Sequence, residues 1–261
     1  MPTFSANISM LFQEYPFQAR FEKARSAGFD FVECMFPYQE TKASLEKRLD
    51  ENQLSMAMFN APPGIWERGE RGLAAIEQYR NRFKESIFEA LEYANQLKCK
   101  KIHVMAGSIE QSNDLCFSDQ AFIENIRYAA DQFAPYGICV LIEPLNRRDN
   151  PNYYLSDFHR AVELIDKIQR NNVKLQFDFY HAQIIHGDVS TLFERYFSYV
   201  GHIQIAGIPE RGEPSFGELN YNYVFKLIDQ KDYQGEVGCE YRPATTTEAG
   251  LGWLTNQQKI S

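Results

Sequence analysis

Eight short apolar runs mark this chain, and seven of them are followed by a longer segment of helical spacing. The runs are FSANIS (4–9), FDFVEC (29–34), LSMAMFN (54–60), KKIHVM (100–105), ICVLIEP (138–144), VKLQFDF (173–179), GHIQIAG (201–207) and GEVGCEY (235–241). Helical patterns cover 16–28, with Phe17, Phe21 and Ala24 on one face and Gly28 as the stop, then 43–52, 73–98 and 118–134. Others cover 156–169, with Ser156 as N-cap, and the neighbourhoods of 189–198 and 221–230. Residues 61–72, rich in Pro and Gly, form a loop. Strands that are apolar along their whole length and joined by helices belong to a parallel sheet covered on both faces. Eight such units in about 250 residues fit a closed (β/α)8 TIM barrel. An open doubly wound sheet is the alternative, but no G-x-G-x-x-G follows the first run. No linker or low-complexity tract interrupts the pattern, so residues 1–261 form one domain.

A (β/α)8 barrel carries its active site at the C-terminal ends of its strands. The polar residues there are Glu33 on strand two, Asn60 on strand three, His103 on strand four, Glu143 on strand five, Asp178 on strand six, Gln204 on strand seven and Glu240 on strand eight. Four consecutive strands therefore end in oxygen donors. Three carboxylates converging on one barrel mouth repel one another unless a cation joins them. Glu143, Asp178, Gln204 and Glu240 make a hard, all-oxygen set that suits Mg²⁺ first, with Mn²⁺ or Zn²⁺ as alternatives. His181 lies three residues past Asp178, within reach of a substrate. His202 shares a strand face with Gln204, and its role stays open.

Composition narrows the class. The net charge of −8 disfavours nucleic-acid binding, which needs a positive field. No apolar run approaches the ~20 residues that span a bilayer. The first residues, MPTFSANISMLFQEYPF, lack a basic segment followed by a long apolar core. Cys34, Cys99, Cys116, Cys139 and Cys239 show no paired spacing and read as free thiols in a reducing compartment. The expectation is a cytoplasmic protein acting on a small molecule, with a helical exterior that leaves room for a homo-oligomer.

The blocks LIEPLN, LQFDFYHAQ, GHIQIAGIPERGEPSFGELNY and GCEYRPATTTEAGL, with the N-terminal FSANISMLFQEYPFQARFEKARSAGFDFVECMFPY, resemble the hydroxypyruvate isomerase family. They keep its order and spacing over nearly the whole chain. That family sits among the xylose-isomerase-like TIM barrels, with sugar epimerases and AP endonucleases. A sister group, the 2-oxo-tetronate isomerases, shares most of the blocks. IHVMAG and IQIAG lean toward the sister group, RGEP and TTTEAGL toward hydroxypyruvate isomerase. The resemblance implies a metal held by Glu143, Asp178, Gln204 and Glu240, with Glu143 and Glu240 also serving as proton donor and acceptor. Gln204 stands where the sugar epimerases have a histidine ligand.

The implied reaction moves a proton between adjacent carbons of hydroxypyruvate and tartronate semialdehyde through an enediolate, using two positioned carboxylates. His181 is the candidate hydrogen-bond partner of a substrate oxygen. Arg211, in PERGEP after strand seven, is the candidate partner of the substrate carboxylate. Glu33 and His103 are further substrate-side candidates, and Trp66 and Phe12 are aromatic candidates for the pocket wall. Rival readings are a sugar or 2-oxo-tetronate isomerase with the same carboxylates, a DNA-repair endonuclease, and a barrel that only binds a sugar acid. The endonuclease needs a histidine-rich zinc cluster, and the chain has five histidines in all.

Overall fold

A computed structural model describes residues 2–109 and 115–254. Eight strands close into one parallel barrel in sequence order. They are β1 Thr3–Asn7, β2 Phe31–Cys34, β3 Ser55–Asn60, β4 Lys101–His103, β5 Cys139–Ile142, β6 Val173–Asp178, β7 Val200–Ile205 and β8 Glu236–Cys239. The crossovers are α1 Arg20–Ser26, α2 Lys42–Glu51, α3 Arg80–Gln96, α4 Leu115–Phe133, α5 Phe158–Ile168, α6 Phe179–Ile185, α7 Val189–Tyr196 and α8 Tyr221–Gln230, and α9 Thr247–Gly250 follows the last strand. The closed barrel, rather than an open sheet, is what the eightfold alternation requires. Closure comes from β1 pairing with β8, where Thr3, Phe4, Ser5 and Ala6 align with Glu236, Val237, Gly238 and Cys239.

Strand side chains alternate between the lumen and the helical layer. The outward set is apolar and aromatic. Phe177 on β6 lies 5.0 Å from Phe158 of α5, 5.0 Å from Phe179 of α6 and 5.1 Å from Phe193 of α7, ring centre to ring centre. Phe4 on β1 meets Phe225 of α8 and Trp253 at 5.2 Å each, both edge to face. Burying each such ring contributes about 2–3 kcal/mol. The inward set is polar: Ser5, Asn7, Glu33, His103, Gln176, Asp178, His202 and Gln204 are all buried.

Three local features differ from the sequence expectation. Helix α3 begins at Arg80, not near 73, because Gly72 bridges to Ala106 and the Ala75 amide donates to the Ala106 carbonyl at 2.7 Å, tying 72–75 to the loop after β4. The N-cap of α5 is Asp157, which accepts from the Arg160 amide at 2.8 Å, while Ser156 accepts from Arg147 Nε. Helix α6 follows β6 with no linker, because Asp178 ends the strand and caps the helix through the Tyr180 amide. Cys34, Cys99 and Cys239 are buried free thiols and Cys139 is a half-buried one, while the side chain of Cys116 lies outside those described.

Candidate active site

The barrel mouth brings Glu143, Asp178 and His181 together, with Arg211 bridging Asp178 and Glu240; Gln204, in register with Asp178, makes its side-chain contacts with Glu33 and Gln176. Asp178 divides its two oxygens. Oδ1 accepts from the Tyr180 amide at 2.8 Å, and Oδ2 is buried without a hydrogen-bond donor. Glu143, one residue beyond β5, likewise leaves Oε1 buried and without a donor. Oxygens of Glu143 and Asp178 lie with a ring nitrogen of His181 in a set whose atoms are all within 4.8 Å of one another. Glu240 pairs with Arg211 Nη2 at 3.2 Å, and the same guanidinium lies 3.8 Å from Asp178 Oδ2.

One arginine does not balance three carboxylates. Burial, with the Glu240 and Asp178 charges beside it, raises the Glu143 carboxyl well above the carboxylate range. Burial pushes Asp178 up to about 6 against the pull of Arg211. Burial pushes Glu240 up to about 7, again against Arg211 and with the added repulsion of Asp178 and Glu33. Unpartnered, mutually repelling oxygens with raised affinity for protons are what a divalent cation relieves. The residues present fit such an ion.

His181 belongs to the cluster in a different role. Its Nδ1 accepts from the Asn146 backbone amide at 3.0 Å and from Asn146 Nδ2 at 2.8 Å. That amide is oriented, since Asn146 Oδ1 accepts from the Asp149 amide at 2.9 Å. With both donors on Nδ1, the ring proton resides on Nε2, 3.7 Å from Asp178 Oδ2 and otherwise unpartnered. Burial and the nearby Arg211 charge hold the imidazole neutral, well below its usual range. It is an N–H donor aimed into the site, and a nitrogen that carries a proton has no lone pair for a metal.

Arg211 comes from the loop between β7 and α8. It adopts a left-handed backbone (φ 57°), its carbonyl accepts from the Arg242 amide at 2.7 Å, and its guanidinium lies over the Tyr180 ring at 5.0 Å. The loop folds back tightly: a Cβ on Gly217 (φ +116°) would sit 2.1 Å from the Ile208 carbonyl oxygen. Tyr180 in turn donates to Asp149 at 2.8 Å and accepts from Arg148 at 2.9 Å. Loops after β5 and β7 are thus bound through α6.

The other expected residues divide. His103 lies at the mouth, with Nδ1 3.2 Å from Asn60 Oδ1 and 3.6 Å from Glu143 Oε2, and burial lowers it to about 3. Glu33 lies enclosed in the lumen with no exposed surface. Its partners are Ser5 Oγ at 2.9 Å, Asn7 Nδ2 at 3.2 Å, His202 Nε2 at 2.9 Å and Gln204 Nε2 at 2.8 Å. Trp66 packs on Phe36 at 5.3 Å beneath Arg71, and Phe12 is fully buried. The sequence gives no prominence to Gln176, whose Nε2 reaches Gln204 Oε1 at 2.6 Å and whose side chain lies near enough to Glu143 to offset part of the rise in its pKa. Nor does it single out Asn146, which orients His181. The period-2 spacing from Gln176 to Asp178 was the available signal for the first; nothing local marked the second.

A closed parallel barrel that gathers carboxylates and an arginine at its C-terminal mouth is the arrangement in which barrel enzymes act on small molecules, with groups able to give and take protons. The chain matches the sequence profile described as xylose isomerase-like TIM barrel over residues 21–257. It is 47% identical to the 2-oxo-tetronate isomerase of Cupriavidus necator over 97% of this chain and 98% of that one. It is 44% identical to the hydroxypyruvate isomerase of Escherichia coli over 97% of this chain and 98% of that one. A crystal structure from Brucella melitensis, titled AP endonuclease, family 2, superposes with a TM-score of 0.96 at 45% identity, covering 98% and 99% of the two chains. The chain belongs to the xylose isomerase-like TIM barrel family, and within it to the isomerases. Among the described residues no helix is long and apolar enough to cross a membrane.

Proposed function

We propose that this isomerase interconverts hydroxypyruvate and 2-hydroxy-3-oxopropanoate (tartronate semialdehyde), with Glu143 and Glu240 moving the proton between carbons. The observation that carries the reading is the pair of buried glutamates flanking Asp178, one leaving an oxygen without a donor and the other tied to Arg211. One carboxylate removes a proton from C3, the electrons shift toward the C2 carbonyl, and the other carboxylic acid returns a proton to C2. The hydroxyl proton passes from the C3 oxygen to the C2 oxygen, so the reaction is balanced with no outside reagent. His181 Nε2–H, neutral and unpartnered, donates to a substrate oxygen as charge builds on it. Arg211 meets the substrate carboxylate and holds Glu240 in place.

The donor set supports a divalent ion held by Glu143, Asp178, Glu240 and the amide oxygen of Gln204. Oxygen donors of this hardness favour Mg²⁺, then Mn²⁺. When bound, such an ion stabilises the negative charge that develops on the two substrate oxygens.

The similarity to the Cupriavidus necator enzyme favours a second reading, in which the substrate is a four-carbon 2-oxo-tetronate handled by the same residues. An endonuclease activity, as the name of the Brucella melitensis protein says, finds no support in the ligand chemistry. The potential ligand group among the described residues contains one histidine, not the histidine-rich set a multi-zinc centre needs. The deciding experiment measures turnover of hydroxypyruvate and of a 2-oxo-tetronate by metal-stripped protein, before and after Mg²⁺ or Mn²⁺. Efficient consumption of hydroxypyruvate only with metal is expected. A preference of tenfold or more for the four-carbon acid would change the substrate and keep the site. No turnover of either acid with any metal would refute the proposal.

A further inference from the structure

A glutamine that offers its oxygen to a cation has a problem that a carboxylate lacks. Its amide is nearly symmetric in shape, and a half-turn presents NH₂ in place of the oxygen. Gln204 has two side-chain neighbours that bear on this choice. Gln176 Nε2 lies 2.6 Å from its oxygen, but Gln176 is itself an amide, and its own Oε1 has no partner. Gln176 therefore turns as readily as Gln204 and fixes nothing. Glu33 Oε1, 2.8 Å from Gln204 Nε2, is a carboxylate oxygen and only accepts.

The lumen is arranged to keep Glu33 in that state. Asn7 donates to it through Nδ2, and Asn7 is itself oriented because its Oδ1 accepts from the Ser9 amide at 3.1 Å. Ser5 Oγ and His202 Nε2 approach the other carboxylate oxygen at 2.9 Å each. β8 makes room for the group. A Cβ on Gly238, which aligns with both Ser5 and Gln204 in the barrel register, would lie 2.4 Å from both Glu33 oxygens.

We infer that Glu33 is a positioning residue: by accepting from Gln204 Nε2 it turns the Gln204 amide oxygen toward the metal site. This rests on the metal reading above and replaces the expectation that Glu33 touches substrate. The direction of Gln204 then sets that of Gln176, whose NH₂ must face the Gln204 oxygen and so also faces Glu143. One buried carboxylate thus orders two amides in series. Gly238, two residues before Glu240, is the space that allows it.

The test is a cycle of variants read by Mn²⁺ titration of the metal-stripped full chain, using calorimetry and the Mn²⁺ electron paramagnetic resonance signal. In Glu33→Gln the obligate acceptor is gone and the neighbouring amides are free to turn together. The Mn²⁺ dissociation constant is expected to rise roughly tenfold or more, the range for an outer partner of a ligand. In a Gln204→Ala background the same change is expected to have little further effect, because there is no amide left to orient. Gly238→Ala, which forces the carboxylate to move from the opposite side, is the second variant should Glu33→Gln fold poorly, and it is expected to behave alike. An unchanged Mn²⁺ affinity in folded Glu33→Gln overturns the inference. So does an equal loss with and without Gln204, which marks a role in the fold alone. Absence of Mn²⁺ binding by the unmutated chain overturns the metal reading itself, and that control separates the two failures.

Discussion

Replacing Glu240 by Gln should make the metal-free protein more stable while stopping its chemistry. Gln has the shape of the protonated acid and lacks its charge. In the folded chain the Glu240 carboxyl is raised by burial and by Asp178, beyond what Arg211 recovers, from 4.5 to about 7. A raised acid binds its proton more tightly in the folded state, so the stability it contributes is full below its unfolded value and is lost as pH rises through the folded one. The loss is therefore complete near pH 8 and absent near pH 4.5. At 1.36 kcal/mol per pH unit, the raised value corresponds to about 3 kcal/mol. For a domain of this size that is on the order of 6–10 °C in melting temperature. The assay is thermal or urea unfolding of both proteins in chelator at pH 5 and pH 8. Glu240→Gln should be the more stable at pH 8 by a margin that shrinks toward pH 5, with turnover reduced at least ~10²-fold. A variant less stable by the same amount at both pH values would refute the argument, because the Arg211 ion pair would then outweigh desolvation and repulsion.

Four further outcomes follow from the same geometry. Mn²⁺ or Mg²⁺ added to the stripped protein should raise its melting temperature more at pH 8 than at pH 5.5, since protons on Asp178 (about 6) and Glu240 (about 7) compete with the ion at the lower pH. His181→Ala should lower kcat on the order of 10²-fold yet change Mn²⁺ affinity little in a calorimetric titration, because Nε2 is a donor and not a ligand; a collapse of metal affinity would reverse that assignment. Gly217→Ala places a Cβ 2.1 Å from the Ile208 carbonyl oxygen, so the loop carrying Arg211 should shift and KM should rise, with kinetics as the check. Phe177→Ala removes a ring held between α5, α6 and α7 and should cost about 3–5 kcal/mol by urea unfolding without altering metal affinity.

The barrel, and the presence of Glu143, Asp178 and Glu240 near Arg211 at its mouth, were legible because each depends on patterns within a few residues. Apolar runs mark strands, and the polar residue closing each run marks the mouth. What was not legible depends on pairings across the barrel. Glu33 reads as a substrate-side acid from its own run, and only the register of β1, β2, β7 and β8 places it between Ser5, Asn7, His202 and Gln204. His202 had no assignable role for the same reason. Helix α6 was invisible because one residue, Asp178, performs two local tasks, ending a strand and capping a helix, with no turn residue between them. The tautomer of His181 is set by Asn146, 35 positions away in sequence.

The polarity of the lumen extends below the mouth, and this shapes how the protein holds together. Lys101 on β4 pairs with Glu236 on β8 at 2.7 Å, across 135 positions of sequence. On β8, strand alternation puts Glu236, Gly238 and Glu240 on one side: Glu236 meets Lys101, Gly238 leaves space for Glu33, and Glu240 meets Arg211 at the mouth. An interior of this kind supplies direction more than stability, since enclosed charges roughly offset their own desolvation. Cohesion must then come from the layer between strands and helices, and the sequence provides for it with 20 phenylalanines and 15 tyrosines. Phe177, Phe193 and Phe225 each meet other aromatic rings in that layer. The two faces of each strand therefore answer to different demands. The outward face tolerates exchange among apolar residues of similar volume. The inward face admits far fewer, because its donors and acceptors pair with one another, as Glu33 does with Gln204 and Gln204 with Gln176.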